Sequence, residues 1–443
     1  MNTSKKFYIE TQGCQMNEYD SDMMHSLLTN KMGFEETNNS SKADLLIVNT
    51  CSIREKAQEK VFSLLGQWNK LKLKNPELII GVTGCVASQE SESISSRAPY
   101  VDMVIGPQTI HKLPLIYDNL LNSKKRQIDV DFPVIEKFDN LPSKSGVKCS
   151  EYVTIMEGCS KYCSYCVVPY TRGTEVSRPL NDIIKECENL INRGAKEITL
   201  LGQNVNAYSF TSDKDEYCNF GLLLFYIANI KGIQRLRYTT SHPNNFDDQT
   251  YLAYEKLPKL VSHLHLPVQI GSDKVLSNMK RGYTILEYKS IIRKLKKIRS
   301  DMTFSSDFIV GFPGETDEDF DKTLSLIDEI KFEQSYSFIY SRRPGTPASY
   351  LIDEVEPNVK KERLNILQNK INNLHTSKLN KMLGKEKLVL VESTSKRNID
   401  VLTGRTTNNI VVNFKGNKNL IGETIPVKIN EVMKSTLRGE VIN

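Results

Sequence analysis

The chain has 443 residues, 39% hydrophobic and 25% charged, the make-up of an ordinary globular protein with length for two or three cored domains. No run of about 18 apolar residues occurs, and the start reaches Glu10 before any long apolar stretch, so neither a membrane span nor a signal peptide is expected. Nine cysteines, an odd number, point to a reducing, cytoplasmic setting and to metal work rather than disulfides.

The first segment runs to about Lys144 and alternates short apolar runs with amphipathic stretches, the pattern of βα units. Strands are expected at Lys6–Glu10, Asp44–Asn49, Leu78–Val82 and Val101–Ile105. Helical spacing covers Asp20–Leu28 and Arg54–Leu71, where Val61, Leu64, Leu65 and Trp68 share one face. Cys14, Cys51 and Cys85 each follow the carboxyl end of an expected strand. In an open α/β sheet ligands bind in the crevice at those ends, so three distant thiols would meet at one rim. The pattern reads as a three-cysteine cluster site; the plain alternative is three buried core cysteines.

A polar, proline-containing linker, Asp131–Val147, leads to a second segment from about Cys149 to Leu374. Strands are expected at Tyr152–Met156, Glu197–Leu201, Arg235–Thr239, Leu260–Val268, Thr303–Val310 and Ser335–Tyr340. Between them lie the amphipathic stretches Leu180–Asn192, Thr284–Arg299 and Thr316–Ile330, the last opening on the capping pair Thr316 and Asp319. Repeated βα units that curl on themselves make a barrel or partial barrel with its site at the strands' carboxyl ends. Right after the first of these strands comes Cys159, Cys163 and Cys166 in a C-x3-C-x2-C run. Three thiolates this close suit three irons of a 4Fe-4S cluster and leave the fourth iron open for chemistry. The rivals are a zinc knuckle, which needs a fourth ligand, or core cysteines. A helix at Asn358–Lys381 closes the segment, with Leu364, Leu367, Ile371 and Leu374 as its core stripe. His263 and His265 share a strand face and are either a zinc pair or satisfied barrel histidines. Cys149, Cys187 and Cys218 read as structural, and Arg293 with Lys294–Lys297 as a solvated helix face.

From about Gly384 the chain turns to short β runs at Lys387–Val391, Asn409–Phe414 and Thr424–Ile429, which suggest a small antiparallel barrel. Residues 376–443 hold 12 Lys and Arg against 6 Asp and Glu, so the whole formal excess of +6 lies there. A basic terminal module reads as a nucleic-acid grip, or else as a basic β-domain with no ligand. Lys387, Lys396, Arg397, Arg405, Lys415 and Lys418 form the candidate phosphate-facing set, and Phe414 is the one aromatic available for stacking.

The run Gly158-Cys159-Ser160-Lys161-Tyr162-Cys163-Ser164-Tyr165-Cys166 after a barrel strand resembles the radical S-adenosylmethionine superfamily. Together with Cys14, Cys51 and Cys85 and the basic end, the whole chain resembles the methylthiotransferase family, in the branch acting on isopentenylated adenosine of tRNA. The runs that carry this are Thr11–Asn17, Asn49–Ala57, Gly84–Gln89, Leu201–Tyr208 and Thr240–Pro243. The sequence departs from the family pattern at Ile270, where Ser is usual, and at Arg342, where Pro is common.

The resemblance implies an α/β chain of three domains: a cluster-binding open α/β domain at 1–145, a partial (βα)6 radical barrel at 146–375 and an RNA-binding TRAM barrel at 376–443. It implies two 4Fe-4S clusters, one on Cys159, Cys163 and Cys166, the other on Cys14, Cys51 and Cys85, with two S-adenosylmethionine molecules used per turnover. Tyr165, Gly202, Gln203, Gln269 and Asp307 become candidate cofactor contacts, and Arg343 a candidate partner for a carboxylate or phosphate. The expected reaction places a methylthio group on C2 of the adenosine beside the anticodon, through a carbon radical, with the base turned out of its stack. Expected partners are tRNA, an electron donor such as flavodoxin or ferredoxin, and an iron–sulfur or sulfur supply system; no membrane is involved and the chain acts as a monomer. Two readings of other classes remain: a two-cluster electron carrier docked to RNA, and a zinc-stabilised RNA-binding protein.

Overall fold

The computed structural model describes residues 4–51, 55–131, 138, 144–395 and 398–442. They form two compact units. The first is Met1–Gly146 with Glu157–Ser160 and Cys166–Val176; the second is Val147–Met156, Lys161–Tyr165 and Ser177–Asn443. Packing therefore assigns two pieces of the cysteine loop to the first unit and joins the barrel and the carboxyl-terminal module in the second.

The first unit is built on a six-stranded parallel sheet in the order Glu35–Glu36, Lys6–Gln12, Leu45–Thr50, Ile79–Thr83, Met103–Ile105, Gln127–Asp129. Leu45–Thr50 is buried at every position because both faces are covered, which is why it reads as a continuous apolar run. Leu45 and Ile47 pack with Phe7, Met24 and Leu113; Leu46 and Val48 pack with Val61, Leu65 and Trp68. The two edge strands were not expected from sequence. Glu35–Glu36 is short and exposed, and an edge strand with no buried face has no apolar signature. The first helix starts earlier than expected, at Gln15, and its end loosens into a π turn at Leu27–Lys31.

In the second unit six parallel strand positions follow chain order: Ser150–Thr154, Glu197–Leu201, Arg235–Tyr238, His263–His265, then Thr303–Ser305 continued by Asp307–Val310, and Tyr336–Ile339. Single bridges at Leu236 with Leu260 and at Gln269 with Phe308 join neighbouring pieces. Among the described residues no pairing closes the arc, so this is a partial (βα)6 barrel. The run Thr303–Val310 breaks at Ser306, whose hydroxyl accepts the Val268 N–H at 2.9 Å and so replaces a ladder bond. Thr316 and Asp319 form the expected capping box on Asp317–Ile330.

The last segment is a closed barrel of five strands, Glu386–Thr394, Val401–Thr406, Val411–Lys415, Thr424–Val432 and Leu437–Val441. Two of these, Val401–Thr406 and Leu437–Val441, were missed because their alternating small, polar and charged residues carry little apolar signal. The barrel is not wholly antiparallel: Val411–Lys415 runs parallel to Leu437–Val441, the pairing that closes it. Among the described residues no helix is long and apolar enough to cross a membrane.

Candidate metal centre

Three adjacent strands of the first unit deliver three thiols at one level. Gln12 pairs with Thr50 and Asn49 with Thr83, so the strands end in register. Cys14 caps the helix Gln15–Ser26, Cys51 is the first residue past its strand, and Cys85 opens the short helix Cys85–Gln89. Gly84 makes this approach possible. Its φ is +89°, and a Cβ there would lie 2.4 Å from the Thr50 carbonyl oxygen and 2.5 Å from Asn49 Oδ1. Asn49 and Asn17 lock the loops to each other: Asn17 Nδ2 donates to Asn49 Oδ1 at 2.9 Å, and Asn49 Nδ2 donates to the Asn17 carbonyl at 2.8 Å and to Ser21 Oγ at 2.9 Å.

The Cys51 thiol hydrogen-bonds to both Cys14 and Cys85. Its proton, shared with two neighbours, raises Cys51 well above the usual thiol range and is the largest cause lowering Cys14 to about 7 and Cys85 to about 6. The guanidinium of Arg172 lowers both further. Arg172 is 3% exposed. Its Nε donates to Cys85 Sγ at 3.3 Å, its Nη2 to Asp20 Oδ2 at 2.8 Å, and its Nη1 reaches Glu157 Oε1 at 3.5 Å. Gln108 Nε2 braces the set, donating to Glu157 Oε2 at 2.7 Å and to the Arg172 carbonyl at 2.8 Å.

Among the described residues no group of three or more His, Cys, Asp or Glu side chains is arranged to hold a single metal ion. A lone zinc needs four ligands converging on one point. A cuboidal cluster spreads its thiolate ligands over several irons, and three neighbouring thiols with a buried cation beside them suit that demand.

The second cysteine run is divided between the units. In the first unit Cys159 donates its backbone N–H to the Gly173 carbonyl at 3.1 Å, and Ser160 Oγ accepts the Glu175 N–H at 3.1 Å. In the second unit Cys163 is buried and its Sγ accepts from Arg281 Nη1 at 3.4 Å. Arg281 is itself held by the Pro267 carbonyl at 2.8 Å and by Tyr283 Oη at 3.1 Å, with the Tyr283 hydroxyl donating to the Val268 carbonyl at 2.9 Å. Ser164 pins the turn by donating its N–H to Met279 O at 3.0 Å and its hydroxyl to Asn278 O at 2.8 Å.

Of the other expected cofactor residues, Gly202 and Gln203 lie just beyond the carboxyl end of Glu197–Leu201 and Gln269 follows His263–His265, whereas Asp307 opens the strand piece Asp307–Val310. Tyr165 packs against the barrel core, Gly202 is buried and Gln203 half-buried. Gln269 takes a left-handed φ of +75°, held by backbone bonds from Gln269 N to Asp307 O at 2.9 Å and from Ile309 N to Gln269 O at 2.8 Å. Asp307 pairs with His265 Nε2 at 3.4 Å, and Ser305 Oγ meets the other ring nitrogen at 2.9 Å, so His265 is a partnered barrel histidine. Cys149, Cys187 and Cys218 are buried, and burial pushes all three thiols up, Cys149 to about 12 and Cys218 to about 11.

His242 enters the sequence reading only within the run Thr240–Pro243. Its Nδ1 accepts the Asn244 N–H at 3.3 Å, which leaves the ring proton on Nε2. Burial first, then Arg281 and Lys161, keep this ring neutral. The buried Nε2–H and the neighbouring Ser241 hydroxyl have no hydrogen-bond partner among the described residues.

In the carboxyl-terminal barrel Lys415 and Lys418 are exposed and Lys387 is half-buried. Lys396 and Arg397 lie outside the described residues. Arg405 is part-exposed and partnered, with Nε 3.4 Å from Glu392 and Nη1 3.2 Å from Asn409 Oδ1. Phe414 is not available for base stacking: at 2% exposure it fills the barrel interior with Leu402, Val412 and Leu437, because its strand alternation turns it inward. This barrel docks on the amino ends of the partial-barrel strands of the same unit. Arg235 donates to the Arg405 carbonyl at 2.7 Å, Asn408 donates to Ser262 O and Asp301 O at 3.0 Å each, and Thr424 donates to Gln234 Oε1 at 2.9 Å.

Arg172, Arg281, Asp20, Glu157 and Gln108 were not singled out from sequence. Arg172 finds Cys85 and Asp20 across 87 and 152 positions, and no local pattern carries such a pairing. The only signal is position, since Arg172 stands in the run that follows the last thiolate.

Three family descriptions match in order: Uncharacterized protein family UPF0004 over residues 6–106, Radical SAM superfamily over 153–327 and TRAM domain over 380–442. A relative from Francisella tularensis subsp. holarctica, named tRNA-2-methylthio-N(6)-dimethylallyladenosine synthase, is 55% identical over 442 residues and covers 100% of both chains. The chain belongs to this family. A relative of the same name from Histophilus somni is 56% identical over 99% of this chain and 93% of its own. Among solved structures, the radical S-adenosylmethionine methyltransferase TsrM of Kitasatospora setae aligns with a TM-score of 0.57 at 15% identity, over 78% of this chain and 75% of that one, a likeness of fold alone. Membership of the radical SAM superfamily implies a 4Fe-4S cluster and S-adenosylmethionine.

Proposed function

We propose that the chain methylthiolates C2 of N6-isopentenyladenosine beside the anticodon of tRNA. The observation that carries this reading is the register that gathers Cys14, Cys51 and Cys85 in a chain so like the named synthases. When bound, a 4Fe-4S cluster at Cys159, Cys163 and Cys166 with S-adenosylmethionine supplies a carbon radical able to take an unactivated C–H hydrogen, and a second cluster at Cys14, Cys51 and Cys85 supplies the sulfur. Two S-adenosylmethionine molecules are consumed per product, one for the radical and one for the methyl group.

The protein's own side chains bind, orient and exclude water. Burial of Cys51, Cys85 and Cys163 keeps solvent from the sulfurs. Gly202, Gln203 and Gln269 just past strand ends, Asp307 within its strand run and Tyr165 on the loop make up the cofactor cradle. The neutral Nε2–H of His242 is a donor held ready for an acceptor on cofactor or base. The carboxyl-terminal barrel sits at the other end of the strands, so it grips RNA backbone away from the reacting base. The chain works as a monomer in the cytoplasm, takes electrons from a flavodoxin or ferredoxin, and draws on an iron–sulfur supply system.

Anaerobic protein given S-adenosylmethionine, reductant and isopentenylated tRNA yields the 2-methylthio nucleoside on digestion and mass spectrometry. Product only with a threonylcarbamoyl adenosine or with a ribosomal-protein aspartate would overturn this choice of substrate. Cleavage of S-adenosylmethionine also excludes the electron carrier, and brown protein excludes the zinc-stabilised RNA binder. Replacing Lys415 and Lys418 by Ala weakens tRNA binding evenly across sequences and flattens the slope of log K against log salt by about 1 for each phosphate no longer neutralised. S-Adenosylmethionine cleavage without tRNA stays unchanged in that variant; an unaltered salt slope would show that these lysines do not face RNA.

A further inference from the structure

We propose that Arg172 is a positioning residue for the amino-terminal cysteine site, where its hydrogen bond to the Cys85 sulfur raises the reduction potential of the cluster held there. The inference rests on the two-cluster reading above and goes beyond it. All three guanidinium nitrogens are committed: Nε to Cys85 Sγ, Nη1 to Glu157 and Nη2 to Asp20. The carboxylates lie on two different elements of the first unit, and Gln108 fixes Glu157 from behind. The fork is thus aimed, and its Nε–H has one direction to point. A charge-balancing arginine has no need to touch sulfur; this one directs its Nε–H at the thiolate.

Two effects act in the same sense. An N–H donated to a ligand sulfur withdraws electron density from the metal–sulfur bond. A cation in a buried, weakly screened position favours the more negative, reduced state of its neighbour. Asp20 and Glu157 oppose the second effect, but as carboxylates they have no proton to donate to sulfur. The arginine also arrives on the loop that carries the radical-site thiolates, six residues after Cys166, so the segment that binds one cluster delivers the donor to the other. Arg281, which meets Cys163, differs in that its other hydrogen-bond partners among the described residues, the Pro267 carbonyl and Tyr283 hydroxyl, carry no charge.

The test uses full-length protein with C159A, C163A and C166A, in which only the amino-terminal site can load, reconstituted anaerobically. Midpoint potential is read by redox titration followed by electron paramagnetic resonance, in this background, with R172K added, and with R172Q and D20N added together. R172K keeps the charge but loses the directed Nε–H; R172Q with D20N removes the donor and one counter-charge at once. Iron stays at about four per chain in all three, and the potential falls in both variants. Full iron with an unmoved potential in both variants overturns the proposal. Loss of iron from both, with circular dichroism unchanged, overturns it too, since Arg172 would then serve assembly and not potential. Absence of iron from the background protein itself sinks the two-cluster reading instead.

Discussion

Replacing Cys14, Cys51 or Cys85 by Ala abolishes the methylthio product while S-adenosylmethionine is still cleaved. Iron falls from about eight to about four per chain, because one site empties and the other stays whole. The physical basis is that the three thiols depend on one another: Cys51 bonds to both neighbours, and its loss leaves Cys14 and Cys85 as like charges beside one guanidinium. The variants keep their fold, because the thiols cap a sheet whose core lies on its faces, in residues such as Leu46, Val48, Trp68 and Phe7. Product nucleoside, 5′-deoxyadenosine and iron are measured on the same samples. Retention of methylthio product in any of the three variants would remove this trio from the reaction. Loss of cleavage together with product would mean that the trio supports the fold of the whole site.

Gly158→Ala should be nearly as severe at the other site. Gly158 has a φ of +77°, and a Cβ there would lie 1.9 Å from the Thr174 carbonyl oxygen and 2.6 Å from that of Gly173. Both obstacles are backbone, so no side chain can swing aside, and the left-handed conformation adds about 1–2 kcal/mol for a residue with a Cβ. Cys159 is the next residue, and its N–H is bound to the same Gly173 carbonyl. Moving the two backbone segments apart therefore displaces Cys159, the proposed cluster ligand, directly. The expected outcome is loss of S-adenosylmethionine cleavage and of about four irons, with the amino-terminal site still loaded and the melting temperature little changed. Cleavage near the unaltered rate would show that the loop tolerates a shift of its backbone and that Cys159 is not held as tightly as its hydrogen bond indicates.

Cys51 and Gly158 differ in how far the sequence reveals them. Cys51 could be found from sequence because a continuous apolar run, Leu45–Val48, stops just before it, and a strand buried on both faces leaves that trace. The capping pair Thr316 and Asp319 was legible for a similar reason, since its hydrogen bonds are local. Gly158 stands in a visible motif, but nothing in the order of residues says that the Thr174 backbone passes so close to it. Phe414 misled: an aromatic in a basic segment reads as a stacking platform until the strand's alternation turns it into the barrel. The two strands Val401–Thr406 and Leu437–Val441 left too little apolar contrast to be seen.

What the sequence determined by itself was whatever short-range periodicity and spacing encode: the βα rhythm, the cysteines placed after strands, the closely spaced triad and the basic end. Tertiary structure decided which distant groups share a desolvated space. Arg172 came to a sulfur 87 positions away, and the basic barrel settled on the amino ends of the strands instead of their carboxyl ends. These choices follow from burial. A charged side chain removed from water must find its partners wherever the packed fold supplies them, and adjacency along the chain has no say in that.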